Sequence, residues 1–258
     1  MADLNDAQWE YVRPFVEWDQ ELRQRPDGRG GRWSDGRQLL NGVLWILRTG
    51  APWQDLPPRY GAYQTCHRRF QQWQRSGVLD GILWALCEDL LARGELGLKE
   101  AFVDASFAGA KKGAIALVQH AAAKGARSWQ SRTAMVFLSP SGLRALRRMS
   151  PRWSKHARAT TYLLLAGATD RSTAYDSDRL DERLRRQHGI EMIAPNRRNR
   201  NRTQDGRPLR RYLRRWKIER LFAWLKNFRR LTSRWERYST NFLGMAQLGC
   251  ALILLRHL

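Results

Sequence analysis

Apolar side chains recur at helical spacing along the first 95 residues, and this pattern predicts four helices. The predicted ranges are about 5–16, 35–49, 62–76 and 79–93. The third range carries arginines on one side and aromatic residues nearby, in a succession that resembles a helix-turn-helix. It could place this helix in a DNA groove. A compact helical domain with solvated arginines fits the same pattern equally well.

Residues that commonly begin or end a helix stand at the ends of these ranges. Ser34 is the predicted N-cap of the second helix, because its hydroxyl can accept a hydrogen bond from a free N–H of the first turn. Gly50, Gly77 and Gly94 follow the second, third and fourth ranges, and glycine often closes a helix in the left-handed conformation. Residues 1–95 are therefore expected to form a helical N-terminal domain that is a candidate DNA-binding domain.

The pattern changes after Lys99. Residues 100–107 are short and apolar and are bounded by polar residues and glycine, which is typical of a buried strand. Asp104 is expected near the end of that strand. Two later apolar runs, 134–138 and 162–166, are candidates for further strands.

The net charge of the chain indicates what kind of partner it binds. The chain has 46 Lys and Arg residues against 24 Asp and Glu, a formal net charge of +22, which favours nucleic acid. A membrane is not expected, because the apolar run from Phe242 to Leu255 is shorter than the roughly 20 residues that span a bilayer. That run predicts a buried core helix. The polar, acidic N-terminus and three cysteines without metal-like spacing indicate a cytoplasmic protein with reduced thiols.

Residues 212–226 carry the most specific chemical pattern. At about 100° per residue, four polar side chains fall in one stripe roughly 60° wide. These are Tyr212, Arg215, Glu219 and Lys226. Leu221, Leu225 and Phe228 lie together on another side. A carboxylate among cations suits a site that handles a metal ion and DNA phosphates, and a solvated face with an Arg–Glu pair is the alternative.

The spacing Tyr-x2-Arg-x3-Glu-x6-Lys resembles the signature of insertion-sequence transposases of the IS-four and IS-five superfamily, and all four positions match. Residues 100–113, 191–200 and 203–210 resemble the IS-five branch, as does the leading helical part. The resemblance covers about residues 1–114 and 174–258.

This resemblance implies an α/β fold, with a ribonuclease-H-like catalytic domain over residues 96–258. In that family three acids hold two divalent ions, Mg²⁺ or Mn²⁺, which activate water or a 3′-hydroxyl for attack on a phosphodiester. Asp104 matches the first acid and Glu219 the third. Arg215 and Lys226 would hold DNA near the cut, and Tyr212 would help to position it.

The implied partner is double-stranded DNA at the terminal repeats of the element. The family resemblance also implies a homodimer acting at the nucleoid in the cytoplasm. Arg197 and Arg198 begin a basic run that suits a DNA-facing or solvated loop.

The second acid of the family pattern is missing. Its Gly-Asp motif aligns with Arg171-Ser172, so the catalytic aspartate falls at Ser172, and a hydroxyl cannot replace a bridging carboxylate. Asp170 is the candidate substitute, because residues two apart on a strand share a face.

The stretch upstream of Ser172 is anomalous. Residues 105–169 hold eleven basic residues and no Asp or Glu. Residues 127–141 can be back-translated with allowed codons and then read from one base earlier. One choice of codons then gives a peptide that resembles the family's second and third strands. We hypothesise that residues 115–172 are a frame-shifted translation, which would disrupt the central strands of the sheet. A divergent insertion is the alternative.

Three functions follow from these patterns. The first is a transposase that binds terminal repeats and cuts and transfers DNA strands with a metal ion. The second is a catalytically inactive, DNA-binding relic of such an enzyme. The third is a basic RNA- or ribosome-associated protein. In that case the stripe formed by Tyr212, Arg215, Glu219 and Lys226 has no role.

Overall fold

The computed structural model describes residues 3–21, 34–95, 103–110, 132–138 and 216–258, together with two helical residues at 182 and 186. These residues fall into two compact units. The described residues up to 93 and those from 224 to 258 form the first unit, and the others belong to the second. The sequence pattern places residues 224–258 in the second domain, whereas in the structure they pack with the N-terminal helices.

Four helices form the N-terminal part of the first unit, as the apolar periodicity predicts. Their bounds are Asp6–Glu21 (α1), Gly36–Thr49 (α2), Tyr63–Ser76 (α3) and Val78–Ala92 (α4). Two short 3-10 turns, Trp53–Asp55 and Pro58–Tyr60, lie between α2 and α3. Gly50, Gly77 and Gly94 all have a positive φ, which confirms their predicted place at the helix ends.

Two helix ends differ from the prediction. The N-cap of α2 is Asp35 rather than Ser34, and its carboxylate accepts a 2.8 Å hydrogen bond from the backbone N–H two residues on. A carboxylate also offsets the partial positive charge of a helix N-terminus, which a hydroxyl does not. Helix α1 runs past the predicted end near Val16, because Asp19 in its later part is buried and accepts a 3.0 Å hydrogen bond from Gln72 on α3.

The C-terminal segment contains three helices and a final 3-10 turn. Their bounds are Trp216–Lys226 (α5), Arg229–Thr232 (α6), Ser239–Leu254 (α7) and Leu255–His257 for the turn. Helix α7 packs against α2, α3 and α4, and most of its side chains are buried. The prediction of a buried core helix near the end of the chain is therefore confirmed. Over the described ranges, every helix is too short or too polar to cross a bilayer.

Side-chain hydrogen bonds fasten the C-terminal segment to the N-terminal helices. Gln8 on α1 donates to the carbonyl of Leu255 at 3.0 Å, and Arg93 donates to the carbonyl of His257 at 2.8 Å. The buried Arg230 donates to the carbonyl of Ala51 at 2.9 Å. Residues 224–258 are thus an integral part of the helical unit rather than an appendage.

Gly50 provides a test of this packing. Its φ is 69°, and a Cβ added there would lie 2.9 Å from the Cβ of Arg229. Gly77 has a similar φ of 83° but open space around it. Gly77→Ala is expected to cost about 1–2 kcal/mol from backbone strain alone, whereas Gly50→Ala adds overpacking and is expected to cost about 2–4 kcal/mol. Urea denaturation measures both losses. Equal losses of stability in the two variants would contradict the close approach of Arg229 to Gly50.

The second unit contains a pair of antiparallel strands, Val103–Ala110 (β1) and Arg132–Leu138 (β2). Their register runs from Val103 opposite Leu138 to Gly109 opposite Arg132. The predicted strand at 134–138 is confirmed, while the one predicted at 162–166 lies outside the described residues. The described residues are mainly helical, so the helical N-terminal region is confirmed and a ribonuclease-H-like sheet stays a prediction.

Candidate active site

Asp104 is the second residue of β1, where it stands opposite Phe137 of β2. The sequence placed this acid near the end of a strand, and the structure places it near the beginning. The reason is that β1 continues to Ala110, and its pairing with β2 includes Ala108 and Gly109, which the sequence pattern leaves outside the strand. A paired strand holds its backbone in one position, so the predicted metal ligand Asp104 stands on a fixed stretch of backbone.

Helix α5 carries two of the predicted site residues on its exposed side. Glu219 and Lys226 are both exposed, and a spacing of seven residues places them two turns apart on nearly the same face. The rise of the helix separates their backbones by about 10 Å along its axis. A carboxylate and an ammonium group on one exposed face are therefore both accessible to a ligand that approaches from that side.

Another side of α5 is apolar, as the helical spacing predicts. Leu225 and Phe228 are buried, although Phe228 lies just after the helix and caps α6. Leu221 is only half-buried, and Phe222 is buried although the sequence pattern did not single it out. The burial of Phe222 has a local signal, since it precedes Leu225 by three residues and so lies on the neighbouring part of the same helix face.

A stacked pair beside Glu219 was missed from the sequence. The side chain of Trp216 is 49% exposed, and the guanidinium of Arg220 lies 4.8 Å from its ring centroid. Their spacing of four residues is the one that brings helix side chains together, so the signal was present in the sequence. The pair adds a cation and a flat apolar surface to the exposed side of α5.

The other predicted site residues lie outside the described residues. They are Tyr212, Arg215, Arg197, Arg198, Asp170 and Ser172. Among the residues that are described, no three His, Cys, Asp or Glu side chains form a group able to hold a metal ion. Asp104 and Glu219 have the side-chain chemistry for such an ion, because carboxylate oxygens are the ligands that Mg²⁺ and Mn²⁺ prefer.

The thiols of the first unit offer no alternative nucleophile. Cys66 and Cys87 are buried and unpaired, and burial raises the pKa of each thiol to about 11. Cys250 is half-buried, and burial together with Cys87 raises its pKa to about 12. Neutral thiols are poor nucleophiles, so within the described residues the candidate chemistry rests on carboxylates.

Comparison with known proteins decides the family. A family model described as "Putative transposase of IS4/5 family" matches residues 4–83, and one described as "Transposase DDE domain" matches residues 146–254. The "Insertion element IS402 uncharacterized 16.2 kDa protein" of Burkholderia cepacia is 32% identical over 105 residues, which are 40% of this chain and 70% of that protein. The chain belongs to the IS4/5 family of insertion-sequence DDE transposases.

Two further relatives of this transposase family are similar over shorter parts. The "Uncharacterized protein y4sN" of Sinorhizobium fredii is 37% identical over 86 residues, which are 33% of this chain and 64% of that protein. The "Putative transposase for insertion sequence element IS402" of Burkholderia cepacia is 43% identical over 79 residues, which are 31% of this chain and 34% of that protein. The chain thus spans from one third to 70% of these relatives. No solved structure matches it significantly.

The two ranges matched by the family models differ in which predicted features they include. The first covers helices α1 to α3 and the beginning of α4. The DDE domain match includes Glu219 and Lys226 but begins after Asp104. It also begins at residue 146, inside the anomalous stretch 115–172, so part of that stretch aligns with the transposase domain.

Proposed function

We propose that this transposase binds double-stranded DNA at the terminal repeats of its insertion sequence and cuts and transfers DNA strands with Mg²⁺ or Mn²⁺. The observation that carries the proposal is the exposed pair of Glu219 and Lys226 on α5, inside the range that matches the transposase DDE domain. Asp104 on β1 supplies the second carboxylate. A ribonuclease-H-like sheet around β1, a homodimer and a place at the nucleoid belong to the same proposal.

In this proposal each residue has a separate role. Asp104 and Glu219 hold the divalent ion through their carboxylate oxygens, with Asp170 in place of the missing second acid. When bound, the ion supplies activation of water or a 3′-hydroxyl and neutralises charge that develops on the phosphate. Lys226 and Arg215 bind phosphates flanking the cut, and Tyr212 positions the strand. Arg197 and Arg198 add phosphate contacts farther along the duplex.

Binding tests the partner directly. The full chain is titrated with a duplex that carries the terminal repeats, with a shuffled duplex and with RNA of the same sequence, at two salt concentrations. Tighter binding to the terminal repeats is expected at both, because phosphate contacts strengthen all complexes at low salt while base contacts discriminate. Preference for RNA would favour the RNA-associated protein and contradict the proposal.

A second candidate is an inactive DNA-binding relic, and Ser172 at the place of the second acid favours it. Such a chain would bind terminal repeats without cutting them in Mg²⁺ or Mn²⁺. The matched control is a gene in which one base is added or removed so that residues 115–172 are read in the shifted frame. Cleavage by the control alone would establish the relic, and cleavage by the chain as it stands would exclude it.

A further inference from the structure

Helix α3 presents a narrow polar stripe on its outer side. Four side chains fall within roughly 60° of one another around the helix: Gln64, Arg68, Gln71 and Arg75. Three of them are exposed and Gln71 is half-buried. The opposite side packs into the core of the first unit, where Cys66, Phe70 and Trp73 are buried. The helix therefore turns one well-defined face, the α3 stripe, outward.

The residues that flank the α3 stripe fix the helix in place. Arg69 donates to Gln72 at 3.1 Å, and Gln72 donates to the buried Asp19 of α1 at 3.0 Å. On the other flank, the ring centroids of Trp53 and His67 lie 4.7 Å apart. Within the part of the chain that the structure describes, the stripe side chains themselves make no hydrogen bond or ion pair. The stripe is thus a set of open donors and acceptors on a firmly held helix.

The composition of the stripe matches the major groove of DNA. Helix α3 contains no Asp or Glu, so nothing on it repels phosphates. Arginine can form paired hydrogen bonds with O6 and N7 of guanine, and glutamine can do so with N6 and N7 of adenine. From residue 64 to residue 75 the stripe is about 16 Å long, and the major groove, about 12 Å wide, admits a helix. This length corresponds to about five base pairs at 3.4 Å each.

We propose that α3 lies in the major groove of the target duplex and that its stripe reads the base edges. This inference rests on the proposed DNA partner and assigns the sequence discrimination to four named residues. It follows from the face of α3 rather than from a helix-turn-helix motif, because the connection between Thr49 and Tyr63 is longer than the three or four residues of that motif.

Selection from a randomised duplex pool tests the inference with the full chain. The wild type is expected to enrich one motif that contains guanines and adenines at neighbouring positions. Arg68→Ala and Arg75→Ala are each expected to weaken binding to that motif by roughly 5- to 150-fold and to relax the preference at one guanine position. Gln71→Ala is expected to relax the preference at an adenine position. The thermal unfolding of all three variants should match that of the wild type.

Arg13→Ala is the matched control, because Arg13 is also exposed on a helix but is paired with Glu10 at 2.8 Å. It removes the same charge and should leave the enriched motif unchanged. If the wild type enriches a motif and the α3 variants enrich the same one with equal affinity, the stripe does not read DNA although the protein binds it. If the wild type enriches no motif, or prefers RNA, both the stripe and the proposed function fail.

Discussion

Glu219→Gln and Asp104→Asn are each expected to reduce Mg²⁺-dependent cleavage of terminal-repeat DNA by roughly 10³-fold or more. Each change keeps the size of the side chain and removes the charge that would hold the metal ion, and residues that act as one catalytic unit show losses of this scale. The measurement is the rate of strand cleavage on a labelled duplex with saturating protein, so that weaker binding cannot account for a slower cut.

The controls for these two variants are acids that are exposed elsewhere. Glu10→Gln and Asp55→Asn remove the same charge from exposed positions in the first unit and should cut at the wild-type rate. The Glu219 and Asp104 variants should still bind the terminal repeats at least as tightly as the wild type, because a negative charge near the phosphates is gone. Wild-type cleavage by Glu219→Gln would remove that residue from the site.

Arg230→Met is expected to lower the free energy of unfolding by about 3–5 kcal/mol. The side chains of Arg230 and Glu236 are only 5% and 3% exposed, and Arg230 Nε lies 2.7 Å from Glu236 Oε1. Without the guanidinium, the carboxylate stays buried and loses its ion pair at that oxygen. Among the described residues its other oxygen, Oε2, already lacks a hydrogen-bond partner. The carbonyl of Ala51 also loses a donor. Urea denaturation of the full chain measures the loss.

Two variants separate this effect from the loss of any arginine. Arg229→Ala removes the neighbouring exposed guanidinium and should change stability by under about 1 kcal/mol. The double variant Arg230→Met with Glu236→Leu removes both charges of this pair and should recover most of the lost stability, since apolar replacement of a buried pair is often neutral. A double variant that is no more stable than Arg230→Met would show that the buried charge is not the cause.

The helices of the first unit could be predicted because their signals are local. Apolar spacing marks the inner face of each helix, and glycine marks the ends at Gly50 and Gly77. The buried pair of Arg230 and Glu236 could not be predicted, because an Arg and a Glu six residues apart usually indicate a solvated surface. Their burial depends on carbonyls of Gly50 and Ala51, some 180 residues away in the sequence.

In the candidate site, too, the features with a local sequence signal could be predicted, and those that depend on distant residues could not. Helical geometry alone places Glu219 and Lys226 on one exposed face and Leu225 on the buried one, as the structure shows. No periodicity connects Asp104 with Glu219, since they are 115 residues apart and lie on a strand and a helix. Only the family resemblance joins these two acids, so their shared metal ion is the step that most needs a measurement.

Iron-directed cleavage of the protein backbone makes that measurement. Fe²⁺ takes the place of Mg²⁺, and with ascorbate and peroxide it generates radicals that cut the chain close to the bound ion. The account predicts that cuts near residues 104 and 219 appear together, that Mg²⁺ suppresses both, and that either Asp104→Asn or Glu219→Gln removes both. Cuts near only one of the two residues, or cuts that persist in both variants, would contradict a shared metal site.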